Sequence, residues 1–113
     1  MRYTAEERQI IVKAVLDVYY GKLPLEVAKR TIPNQECGYY RLFHQSVRDM
    51  EKRMNGETTH LAIPLVFAKE FYKQLKVEDR SEWLAFLHRQ VKYDEQYGTP
   101  SISLREWLEK VAE

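Results

Sequence analysis

The stretch from Gln35 to Met54 constrains the fold of this chain more than any other. Wound as an α-helix at about 100° per residue, it places Tyr39, Phe43, Val47, Met50 and Met54 on one narrow face. Arg41, Gln45, Arg48 and Lys52 fall on the opposite face, with His44 at its edge. Such a helix has to bury one side against other elements and leaves a basic side to water or to a partner.

The punctuation around it predicts further helices. Thr4 and Glu7 have the spacing of a capping box, in which each side chain satisfies the other's free backbone donor. Ile11, Ala14, Val15 and Val18 then recur at helical spacing, and Gly21 offers a left-handed stop, so a helix is expected over about residues 4–20. Pro24 suits the first turn of a short second helix that Pro33 and Asn34 end. Asn55-Gly56 terminates the central helix. Residues 57–63 read as a linker that packs Leu61 and Ile63 into the core. Pro64 opens a helix bearing Leu65, Ala68, Phe71, Tyr72 and Leu75. Asp79 with Glu82, and Ser103 with Glu106, repeat the capping-box spacing. They are expected to start two last helices, one carrying Leu84, Leu87 and Val91 and the other Leu104, Trp107, Leu108 and Val111.

These readings predict an all-α, compact bundle of five or six helices in one domain of 113 residues. A break near Gly56 leaves room for sub-lobes at 1–56 and 57–113. The expected core is Ile11, Val15, Val18, Val27, Phe43, Val47, Leu65, Phe71, Leu84, Leu87 and Leu108. A hydrophobic content of 44% against 31% charged residues belongs to a globular chain rather than a disordered one. The single cysteine, Cys37, excludes an internal disulfide. No signal peptide is read at the N-terminus, and the longest nearly uncharged run, Thr58 to Ala68, is too short to span a bilayer. A cytoplasmic protein with no membrane partner is therefore expected.

The short second helix, the Pro33-Asn34 turn and the central helix have the order of a helix-turn-helix. Leu25-Glu26-Val27-Ala28 resembles the first-helix pattern of many bacterial regulators, in which a small Ala admits close approach of the second helix. The interval from Ala28 to Tyr39 is longer than in the compact motif, and Ile32-Pro33-Asn34 replaces the usual turn glycine. The resemblance implies DNA as partner, with Arg41, Gln45 and Arg48 at base edges. Arginine bonds guanine through two hydrogen bonds, and glutamine bonds adenine the same way. Lys22, Lys29, Arg30, Lys52 and Arg53 are expected at phosphates, with Tyr40 at sugar or phosphate. The net charge of +1 excludes a strongly basic coat. Even so, the half up to Gly56 carries 10 basic and 7 acidic residues, and residues 57–113 carry 8 and 10.

No Gly-rich phosphate loop, nucleophile elbow or catalytic Cys–His signature occurs, so no enzymatic activity and no cofactor are expected. His44, His60 and His88 do not pair into a metal-ligand pattern. Cys37, close to a helix start, reads as a packing residue. The sequence thus predicts a small non-catalytic DNA-binding regulator acting as a homodimer. The alternative is a protein-binding module, an adaptor or an inhibitor, of a kind that a phage or mobile element would carry. Eight tyrosines motivate that alternative, since the doublets Tyr19-Tyr20 and Tyr39-Tyr40 cannot both point inward. Trp83, Phe86, Trp107 and Leu108 are its candidate face.

Overall fold

Thr4 starts the first helix as its spacing requires. Its Oγ1 accepts from the Glu7 N–H at 3.1 Å, and Glu7 Oε1 accepts from the Thr4 N–H at 2.9 Å. In this computed structural model, which describes residues 3–33, 37–57, 63–98 and 101–111, six helices follow: α1 (Ala5–Tyr19), α2 (Leu25–Arg30), α3 (Cys37–Met54), α4 (Leu65–Gln74), α5 (Arg80–Tyr97) and α6 (Ile102–Val111). A 3-10 turn, Val77–Asp79, leads into α5. The all-α bundle is as expected, and no strand occurs among the described residues. Asn34, Gln35, His60 and Leu61 lie outside the described residues, as does the side chain of Cys37.

Two glycines end helices in the left-handed region, Gly21 at φ +71° and Gly56 at φ +85°. Each lets the chain turn back so that the next N–H reaches the helix's last carbonyls: Lys22 bonds Asp17 and Glu57 bonds Lys52, both at 2.8–2.9 Å. A side chain at either position would carry backbone strain.

The core is laid around α1. Ile11, Val12, Ala14, Val15 and Leu16 are all buried, so apolar contact covers this helix on more than one side. α3 brings Tyr39, Phe43, Met50 and Met54 against it, and α4 brings Phe67, Ala68, Phe71 and Leu75. α5 then closes on both α3 and α4, burying Trp83, Phe86, Leu87 and Val91. The Trp83 indole donates to the Ala68 carbonyl at 3.1 Å and lies between Phe71 and Phe86. α6 docks on α5 through Leu104 and Leu108, and Trp107 meets the Tyr72 ring edge-on. The segments before and after residue 56 are therefore packed against each other.

Several expectations need correction. Val27 is 41% exposed, because a six-residue helix resting on α1 buries only Ala28. Val18, Val47, Leu65 and Leu84 line the rim of the core instead of its centre. Asp79 does not cap α5. The 3-10 turn has already brought it into helical backbone, and its Oδ2 accepts from the Tyr20 hydroxyl at 2.6 Å. α6 begins ahead of Ser103: Ser101 Oγ accepts the Leu104 N–H at 3.2 Å, which makes Ser101 the cap. Ile63 is buried as expected.

Tyr20 ties α1 to the α4–α5 junction. Besides donating to Asp79, its hydroxyl accepts the Lys76 N–H at 3.1 Å, and the Lys76 ammonium sits 4.6 Å above its ring. Burial, helped by the hydrogen bond to Asp79, pushes the Tyr20 phenol up to about 12. Burial also raises Tyr3 and Tyr19.

Two outcomes follow from this arrangement. Phe43→Ala, in α3, should cost about 3–5 kcal/mol. Its lower unfolding midpoint should be seen equally by tryptophan fluorescence, which reports only on residues after 56, and by helical circular dichroism; separate transitions would mean independent lobes. Below its ordinary value of 10.0, Tyr20 keeps its proton whether folded or unfolded. As pH rises from there to about 12, the unfolded chain ionises first, so stability falls. Chemical denaturation across that window should show a shallower decline in Tyr20→Phe than in wild type.

Candidate nucleic-acid interface

The inward face of α3 fixes where its outward face points. Phe43 and Met50 are fully buried, Ser46 nearly so, and the buried Tyr39 donates its hydroxyl to Glu7 Oε2 at 2.8 Å. With that side anchored, Arg41, Arg48 and Lys52 are exposed and Gln45 is half-buried. From Arg41 to Lys52 the stripe is about 16 Å long at 1.5 Å per residue. Among the described residues none of the three cations is engaged in an ion pair.

The flanks of the stripe are set by three contacts. The Lys29 ammonium lies 5.0 Å over the Tyr40 ring, which brings α2 to the start of α3. Tyr40 is half-buried and neighbours His44, whose ring also meets Phe43 edge-on. Arg30 is exposed one residue beyond Lys29. Asp49 turns inward, with its side chain 17% exposed and Oδ2 3.9 Å from Arg53 Nη2. Glu51 stays exposed, and its charge raises the nearby Tyr19 phenol after burial and Asp79 have done so. The structure thus gathers Arg41, Gln45, Arg48 and Lys52 on one face and sets Lys29 and Tyr40 beside it.

The helix-turn-helix expectation is met in order but not in packing. Such a pair depends on the first helix bracing the second. Here α2 rests on α1, and α1 and α5 brace α3. Arg53, expected at a phosphate, is fully buried. It follows Met50 by three residues and so falls on the inward face. Its guanidinium lies 5.5 Å over the Phe86 ring, and Arg89 Nη2 donates to its carbonyl at 3.2 Å. Burial lowers the Arg53 guanidinium to about 10, with Asp49 opposing the shift. Sequence reasoning missed this group because arginine at an inward helical position usually snorkels to water.

The expected protein-binding face is largely internal. Trp83, Phe86 and Leu108 are buried, and Trp107 packs on Tyr72. The tyrosine excess is mostly spent on the rim of the core. Tyr3 meets Tyr39 and Phe67 edge-on, and Tyr20 and Tyr39 bond carboxylates. Tyr93 and Tyr97 differ: both are exposed, their rings 4.8 Å apart, and Ile102 is exposed as well.

Among the described residues no three His, Cys, Asp or Glu side chains come together as a metal-binding group, and no helix is long and apolar enough to cross a membrane. Comparison with known proteins returned no match: no protein family, curated protein or solved structure is similar to this chain.

Proposed function

We propose that the protein binds duplex DNA, without catalysis, through the outer face of α3. The observation that carries this reading is the stripe of exposed, unpaired Arg41, Arg48 and Lys52 on a helix locked from behind. A helix fits the major groove, which is about 12 Å wide. Arg41 and Arg48 are two turns apart, about 10 Å along the axis, with Gln45 between them. That spacing suits guanine contacts on either side of an adenine contact. Lys52, Lys29, Arg30 and Tyr40 would take phosphates and set the register. With a net charge of only +1, the chain has little general attraction for DNA, so binding depends on this stripe. The protein acts as a cytoplasmic regulator. It is a homodimer joined through the exposed Tyr93, Tyr97 and Ile102.

That same patch favours a second reading, an adaptor or inhibitor that binds another protein. Paired exposed aromatic rings are a frequent component of protein interfaces. The two readings differ in salt dependence, which phosphate contacts make steep and aromatic contacts do not.

The test is fluorescence anisotropy with mixed-sequence duplex DNA at roughly 50 and 200 mM salt. Wild type should bind more weakly at the higher concentration. Arg41→Ala/Arg48→Ala should reduce the salt slope by about 2 and weaken binding, while leaving stability within about 0.5 kcal/mol because both side chains are exposed. Absence of binding at the lower salt concentration, or equal binding by the double variant, would sink the proposal. Sedimentation should show Tyr93→Ser/Tyr97→Ser as a monomer and wild type as a dimer.

A further inference from the structure

Arg53 lies outside the α3 stripe and has no role in the DNA-binding reading. Among the described residues it alone joins complete burial to a charged group that no protein acceptor satisfies. Its Nε, Nη1 and Nη2 all lack a hydrogen-bond partner in the protein. Asp49 approaches only Nη2, and at 3.9 Å it is beyond hydrogen-bond distance. The Phe86 ring covers the flat of the guanidinium and offers no acceptor in its plane. On the neighbouring helix Arg89, held to the Arg53 carbonyl, also leaves its buried Nε without a protein partner. Two arginines therefore meet across the α3–α5 contact with unused N–H donors and one half-engaged carboxylate.

A guanidinium presents five N–H donors in a rigid fork. That fork matches two oxygens of a carboxylate or a phosphate better than it matches any single acceptor. Desolvating such a cation is unfavourable unless a hydrogen-bonded counter-charge accompanies it. We propose that Arg53, with Arg89 beside it, forms a site for a small oxyanion, a carboxylate or phosphate group held between α3 and α5 through paired N–H···O bonds. Arg53 supplies the fork and the Arg89 Nε a further donor. Asp49 limits the charge the site accepts, which favours a singly charged group over a doubly charged one. Gln90 Oε1, buried and also unpartnered, is an acceptor and takes no part in holding the anion.

The experiment is thermal unfolding of the full chain in chloride buffer, titrated with phosphate or acetate at fixed ionic strength. Wild type, Arg53→Met and Arg41→Ala/Arg48→Ala are compared. Wild type should gain about 5 °C in Tm once the effective oxyanion reaches ten times its Kd, and whichever of the two acts identifies the ligand class. Arg53→Met should not respond. The stripe variant should respond as wild type, which separates this site from the DNA-binding face. No response in wild type would mean that water serves Arg53, and equal responses in wild type and Arg53→Met would mean a surface effect; either overturns the proposal. If Arg53→Met does not fold, the Nε–Hε resonance of Arg53 in labelled wild type decides. A saturable shift with phosphate or acetate supports the site, and an unmoved resonance overturns it.

Discussion

The burial of α1 organises everything else. A helix with Ile11, Val12, Val15 and Leu16 all removed from water cannot lie on a surface; it needs neighbours on more than one side. α2, α3 and α4 provide them, and α5 fills the angle between α3 and α4. At about 25 cal/mol per Å² of apolar surface, this enclosure outweighs any single polar contact in the molecule. It also determines which side of α3 faces out. Tyr39 and Phe43 are turned toward α1, so Arg41 and Arg48 have to face away.

Features decided within one turn of helix were legible in the sequence. The Thr4–Glu7 box and the stops at Gly21 and Gly56 depend on neighbouring residues only, and all three stand where the spacing put them. Asp79 shows where local reading fails. Its spacing to Glu82 is that of a cap, yet its carboxylate is taken by Tyr20, 59 residues earlier in the chain. Nothing near Asp79 announces that competitor. Val27 fails for a related reason: apolar character predicts burial only where a neighbour exists to cover it, and α2 has α1 on one side alone.

The candidate interface was legible to the same degree. Helical periodicity alone sorted Arg41, Gln45, Arg48 and Lys52 onto one face, because α3 is long and its apolar side is continuous. Periodicity also put Arg53 on the inward face, but residue type argued against leaving it there, since arginine is almost never fully buried. The reverse error befell Trp83, Phe86 and Leu108. Apolar character on two sides of α5 suggested a free surface, whereas α6 and α4 cover it.

The buried arginine and the outer stripe belong to one electrostatic arrangement. Asp49 and Glu51 both border the basic face in sequence, and both oriented outward would oppose Arg48 and Lys52. Arg53 alters that balance from inside. A desolvated cation acts over a short distance in a medium of low dielectric, where the attraction is far stronger than in water. Asp49 accordingly turns toward it and leaves its own side chain only 17% exposed. One of the two negative charges beside the stripe is thereby spent on the interior, and the outer face of α3 presents more positive potential than its composition implies. A cation in the core thus sets the charge balance at the surface, one residue beyond Lys52.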